Sequence, residues 1–521
     1  MRIIATIYIL ALTAHSLMAQ QAQPVTPFAP KGGFASSGYE TAVNAGNFSP
    51  LYQILGSTGN KSENAAQYIS GEVARMARDL KKNGIEDKKN RKAAELFNER
   101  IAASHFKQYD SYAHFEQLFK SGAYNSATAT ALYALVLDQL QLPYIIRVEP
   151  TRVYLIMWPN EHPTAIYADA PSEAKSTDQF IQFYLKLITE IGLTDEAGRD
   201  DKSDKALFYK YFGPEKETVS LMQLASILHY QQSLALYKNK RYLDALSHIE
   251  QAQALYGVPR HEVVRYACLF QLAKEHEGDE SKRLDYLFEL YELHPVQQVR
   301  DAVLRQFLEV AGQSLFEQCQ ADRLTQQYRA MRGKLSAGAP LADALRELYF
   351  MQMSKYYARN GLTQELLPCL DSLYCHRPND NVIREALAGL LVQSLRQERN
   401  RDTGLAQLER YLAHYPFLGK HPLVKDLELY YRAELIKTLF DANREEEAKK
   451  ALADFESALA QFGGAPRAVN WITTAYAASS NYYYRWKDYR TARILLERAQ
   501  SLCPDDPYLN HQLELMRVYD R

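Results

Sequence analysis

Few residues in this chain combine the type and the placement that chemistry requires. Asn125 is a good N-cap for the apolar-periodic run behind it, so Ser126 falls in the first turn of a buried helix. A hydroxyl there becomes a nucleophile only with a general base beside it. The five cysteines, Cys268, Cys319, Cys369, Cys375 and Cys503, are odd in number and widely spread, which is not a disulfide framework. They stand within apolar helical patterns and read as small buried hydrophobes. One disulfide in an oxidising compartment stays open, with no pair favoured. There is no CxxC or HExxH spacing, so no metal site and no cofactor is expected.

The elements that would position Ser126 are legible. Ile69, Val73, Met76 and Leu80 make one helical stripe, and a second helix covers about Arg91 to Phe106. Behind Asn125, the residues Ala129, Leu132, Tyr133, Val136 and Leu140 share a face, and Leu142-Pro143 closes that helix. Three strand-like segments follow: Tyr144 to Val148, Arg152 to Trp158 and Thr164 to Ala168. They are rich in β-branched and aromatic residues, and turns at Glu149-Pro150 and Pro159 to Pro163 separate them.

This order, with the words YNSATATALYALVLDQLQLPY, TRVYLIMW and IYADAP, resembles the transglutaminase-like fold, a relative of the papain-like cysteine proteases. The resemblance covers roughly Ser62 to Phe212. In that family a Cys opens the helix, a His opens the next long strand and an acid ends the following one. A helix amino terminus lowers the thiol pKa, the His takes its proton and the acid orients the imidazole. The resemblance implies that Ser126, Arg152 and Asp169 occupy those three positions. Arginine stays protonated and cannot be the base. The implied outcome is a degenerate, inactive domain in which Arg152 pairs with Asp169. The competing reading is a serine-dependent acyl hydrolase or amidase with a base from elsewhere, His105, His114 or His162. A third is a cell-wall glycan- or peptide-binding protein that keeps the cleft, with Tyr124, Tyr154 and Trp158 exposed around it.

Tyr209 to Pro214 reads as a linker like that of bacterial secreted relatives of this type, and from Val219 no strand is apparent. Tyr242, Ala245, Ile249 and Ala252 have the offsets of a tetratricopeptide (TPR) repeat, with small Ser233 where helices cross. The clearest copy is the last: Tyr476, Ser480, Tyr483, Tyr489, Ala492, Leu496, Ala499 and Pro504. Small residues let helices approach, large ones fill gaps and the proline stops the second helix. Weaker copies end at Pro295, Pro378 and Pro416. The one ending at Pro378 keeps Phe350, Ser354, Tyr357 and Leu370, and another carries Ala448 and Leu452. Residues Val296 to Leu335 are helical but fit poorly. About five or six units are recognisable. Leu509, Leu513 and Met516 would cap the last one. Such arrays hold a protein or peptide partner in a groove and rarely do chemistry.

Composition bounds the rest. The 521 residues carry 61 basic and 62 acidic side chains, a net charge of -1, which argues against nucleic acid as partner. Met1 to Ala19 has a minimal basic start, a short apolar run and a small residue before Gln20, the pattern of a cleavable secretory signal. That run is too short for a membrane span. The expected organisation is signal 1–19, flexible lead-in 20–62, transglutaminase-like α+β domain 63–215 and all-α TPR-like solenoid 216–521. The expected protein is a secreted or periplasmic interaction scaffold of a Gram-negative bacterium. There are 37 tyrosines. Tyr242, Tyr357, Tyr476, Tyr483 and Tyr489 fall at packing positions of the repeats, leaving Tyr482 and Tyr484 to line a groove.

Overall fold

A computed structural model of the chain describes residues 50–57, 63–87, 90–168, 177–193, 201–276, 278–336, 338–398, 401–461 and 469–516. The signal-like segment 1–19, most of the lead-in and Asp169 lie outside them. The described residues form 22 α-helices, a two-stranded and a four-stranded sheet, in two compact units that divide between Val310 and Ala311.

The first unit is built around one buried helix. Helix α1 (Pro50–Gly56) falls in the stretch read as a flexible lead-in, yet it buries Ile54 and Leu55 completely. Helices α2 (Glu63–Lys82) and α3 (Asn90–His105) follow the two expected stripes. After β1 (Gln108–Tyr109), the short α4 (Gln117–Lys120) and β2 (Ala123–Tyr124) comes α5 (Ser126–Leu140), which is apolar all round and buried along almost its whole length. The sheet covers it with β3 (Tyr144–Glu149), β4 (Arg152–Met157), β5 (Thr164–Ile166) and β6 (Glu217–Val219), in the order β5-β4-β3-β6, antiparallel throughout. Strand β6 was not legible in the sequence, because three residues give no period to read. Helices α6 (Thr177–Glu190) and α7 (Asp201–Phe212) follow β5. Their Tyr184, Ile188 and Phe208 share one core with Tyr230, Ile249 and Leu269 of the helices beyond. Hydrophobic packing therefore runs straight across residue 215.

From Leu221 the chain is a series of helix pairs. They are α8 (Leu221–Lys238) with α9 (Tyr242–Leu255) and α10 (Pro259–Glu275) with α11 (Glu280–Leu293); the helices α12 (Gln297–Gly312) and α13 (Ala321–Lys334) follow. Next come α14 (Pro340–Arg359) with α15 (Thr363–His376), and α16 (Asn381–Gln397) with α17 (Arg401–His414). The last are α18 (Pro422–Asp441) with α19 (Glu445–Ala460), α20 (Val469–Arg485) with α21 (Tyr489–Leu502), and a final α22 (Pro507–Met516). The array is TPR-like, but its leading helices start 38 to 47 residues apart. A 34-residue template slides out of register at such steps. The poor fit of Val296 to Leu335 has a local cause as well. A π-helical turn, Gln313–Glu317, follows α12 and widens its last turn.

Two devices recur. The turn inside a pair ends the leading helix on a left-handed residue: Lys240, Gly361, Asn443 and Lys487 have φ of 60, 70, 56 and 62°. The next amide bonds back five residues, Arg241 to Leu236, Leu362 to Tyr357, Arg444 to Leu439 and Asp488 to Tyr483. This is a Schellman motif, and it satisfies carbonyls that would otherwise end unpaired. The second device is a hydroxyl rivet between the helices of a pair. Ser233 Oγ donates to the Ala245 carbonyl at 2.7 Å, and Ser480 Oγ to the Ala492 carbonyl at 3.1 Å. In the pair where Leu366 replaces the alanine, Ser354 Oγ is buried without a hydrogen-bond partner among the described residues.

Several side chains depart from the sequence reading. Tyr482 is buried against Phe440, with ring centres 4.9 Å apart, whereas Tyr484 is exposed as expected. Cys268, Cys369 and Cys503 are buried and Cys319 and Cys375 are exposed, all five as free thiols. Cys319 itself sits at a left-handed turn position, φ 55°, where the side chain leaves the core. Burial pushes the Cys268 thiol up to about 12 and the Cys369 thiol to about 11, so neither is a reactive thiolate.

Candidate functional site

The site begins at the amino terminus of α5. Asn125 caps it: its Oδ1 accepts from the amides of Ala127 and Thr128, at 3.1 and 2.9 Å. The Thr128 hydroxyl accepts from the Asn125 amide in return, at 2.9 Å. This reciprocal box satisfies the first free amides of the helix. Asn125 Nδ2 also donates to the Ala113 carbonyl at 3.1 Å, which fixes the preceding loop. Ser126 is thereby held against β4. The Val153 amide donates to Ser126 Oγ at 3.3 Å, and Thr130 Oγ1 bonds both the Ser126 and Val153 carbonyls. The fold brings Ser126 and the start of β4 together.

Arg152, next to Val153, faces out of this contact. Its Nε donates to Glu149 Oε2 at 2.7 Å. The guanidinium lies 5.5 Å from the ring centre of Tyr154 and 5.4 Å from that of Tyr167, two rings that pack 4.8 Å apart. Tyr154 Oη donates to Glu149 Oε1 at 3.2 Å, and Lys216 Nζ stands 3.7 Å from the same oxygen. Burial raises the Glu149 carboxyl, but the hydrogen bond and charge of Arg152, with the Tyr154 hydroxyl and Lys216, outweigh it and hold the pKa low. Sequence reasoning missed Glu149. The signal was present: a two-residue Pro150-Thr151 turn puts residues 149 and 152 opposite each other, and the register pairs them. Asp169, the expected partner, lies outside the described residues.

The three candidate bases stand elsewhere. His105 is buried, its Nδ1 2.7 Å from Ser104 Oγ and its ring against Phe119. Burial, then the charge of Arg75, holds its pKa down. His114 is half-buried and depressed by burial; it lines a small polar cavity with Ser57, Tyr112, Gln231 and Gln232. His162 is exposed. Among the described residues no histidine hydrogen-bonds Ser126 Oγ. Nor do three or more His, Cys, Asp or Glu side chains gather as a metal would need, again among the described residues. No described helix is long and apolar enough to cross a membrane.

The aromatic platform expected for a glycan is not assembled from the expected rings. Tyr154 is buried, Tyr124 is half-buried and stacked on Phe106 at 4.7 Å, and Trp158 packs partly into the core. The exposed rings of this domain are others, Tyr68, Tyr109, Tyr112, Tyr167 and Phe183.

Comparison with known proteins adds little. No family model matches the chain and no curated protein is similar to it. Among solved structures, that of Naa15/Naa10 bound to HypK-THB is similar at 13% identity, over 66% of this chain and 63% of that chain, with a TM-score of 0.16. The chain spans less than two thirds of that protein, and a likeness of this size carries no argument about fold or function.

Proposed function

We propose that this is a non-catalytic, secreted or periplasmic interaction protein. A degenerate transglutaminase-like domain stands in front of TPR-type helix pairs that hold a protein or peptide partner. The carrying observation is the pairing at α5 and β4. Ser126 Oγ is bonded to a backbone amide, and the neighbouring strand position is a guanidinium already engaged by Glu149. A serine without a base is a poor nucleophile, and a guanidinium cannot take its proton. No cofactor is needed for such a role. The signal-like residues 1–19 motivate the export.

One preparation tests both halves. The protein is recovered from the periplasmic or secreted fraction of its host, its amino terminus is read by mass, and it is exposed to a serine-reactive phosphonate. A mature terminus at Gln20 and an unlabelled Ser126 are expected. Stoichiometric phosphonylation of Ser126 in the folded protein would instead establish the serine hydrolase. A retained signal in a cytoplasmic fraction would sink the export.

A further inference from the structure

Two basic residues are buried in the first turn of α10. Arg260 and His261 follow its opening Pro259, with relative exposures of 2% and 0%. The amino-terminal end of a helix carries the positive end of its dipole, so it is an unfavourable place for a cation. Arg260 is compensated there by Glu217 of β6, at 2.7 Å. His261 is not. Neither of its ring nitrogens has a hydrogen-bond partner among the described residues.

The groups packed around His261 offer a proton little welcome. From α8 comes the ring of Tyr230, its centre 5.4 Å away. Tyr184 of α6, beside Tyr230 and Arg260, gives its hydroxyl to the Tyr211 carbonyl. Tyr256, at the end of α9, directs its hydroxyl at Glu217. Its main chain favours an imidazolium at His261, but from outside hydrogen-bond geometry. Glu217 is already taken by Arg260 and Tyr256, and Glu262, next in the chain, faces Arg265. Burial first, then the charge of Arg260, holds the His261 ring well below the ordinary histidine range. His105 beside Arg75 and His294 beside Lys210 are buried and held down in the same way. Two histidines of the second unit are set differently. His414 Nε2 and His421 Nε2 each stand 3.2 Å from a carboxylate oxygen, of Asp371 and of Glu385. A proton on either of those gains an ion pair, and a proton on His261 gains none.

We propose that His261 is an acid-operated latch on the joint between β6 and α10. A protonated ring cannot stay enclosed beside Arg260, so the first turn of α10 releases it to water and β6 loosens with it. The released ring takes up a proton below about 6.5, and the enclosed ring does not. The closed joint therefore has its full stability above about 6.5 and loses it as pH falls, by up to about tenfold in the opening constant per pH unit. Between pH 7.5 and 5.0 that amounts to about ten- to thirtyfold. The latch works the same whether or not the helix pairs hold a partner.

The test is backbone hydrogen exchange on the full chain at about pH 7.5 and 5.0, read by mass, with rates corrected for the intrinsic effect of pH. Peptides over β6 and the first turn of α10 are expected to open about ten- to thirtyfold more at the lower pH, and peptides around Asp371 and His414 less. His261→Phe keeps an aromatic ring against Tyr230 and removes the titration, so the pH dependence at the joint flattens by about the same factor. Exchange of the imidazole C2 hydrogen in the unaltered chain reads the His261 titration directly, whether or not the variant folds. That titration is expected well below the ordinary histidine range. A His261 ring that titrates near 6.5, a joint that stays closed at pH 5.0, or equal pH dependence in chain and variant would each overturn the latch.

Discussion

At the residue scale, the chain shows how one atom decides a sign. Gly404 lies inside α17, where alanine is ordinarily the better helix former by about 1 kcal/mol. A Cβ there would meet the ring and hydroxyl of Tyr431 at 2.6 Å. Tyr431 is buried and its hydroxyl is bonded to the Leu395 carbonyl, so the ring cannot yield. Gly404→Ala is expected to destabilise by about 1–3 kcal/mol, the usual result of overpacking. Gly333, in α13, has open space where its Cβ would go. Gly333→Ala is expected to stabilise by up to about 1 kcal/mol. Urea unfolding of both variants gives the comparison, and two shifts of the same sign would refute the packing argument.

The Schellman turns carry the prediction at the scale of elements. Three of the four bonded left-handed positions are filled by Lys or Asn rather than Gly. A non-glycine residue in that region costs about 1–2 kcal/mol, of which the extra freedom of an unfolded glycine returns about 0.5–1. Lys487→Gly is expected to gain about 0.5–1 kcal/mol, and Asn443→Gly less, because asparagine tolerates the left-handed region. Lys487→Ala should not, since alanine keeps the Cβ. Thermal unfolding separates these cases, and a gain for alanine equal to that for glycine would contradict the backbone explanation. The turns were hard to see in the sequence for the same reason: glycine, the usual marker of a helix end, is missing from most of them.

Over the whole molecule, one tie that spans the first unit is a buried ion pair. Arg260 of α10 gives Nη1 to Glu217 Oε1 at 2.7 Å and Nη2 to Oε2 at 3.4 Å, with both side chains almost wholly out of water. The guanidinium also lies 5.3 Å from the ring centre of Phe212. The pair joins strand β6 to the second helix pair. Arg260→Met leaves Glu217 charged and buried, and is expected to cost about 3–5 kcal/mol. Adding Glu217→Leu should recover most of that loss, because an apolar pair has no charge to desolvate. Calorimetry on the two variants checks it, and a double variant as unstable as the single would show that the pair is worth its burial.

Periodicity alone was enough for α5, the three strands behind it and the spacing Ser233 to Ala245 and Ser480 to Ala492, because these depend on neighbours in the chain. The tertiary structure decided what distant residues do to one another. It chose Glu149 as a partner of Arg152, added β6 to the edge of the sheet, and buried Tyr482 that the pattern left outside. It also joined α6 and α7 to the helices beyond residue 215. Burial and cross-strand register are properties of surfaces brought together, and no local period records which surface will arrive.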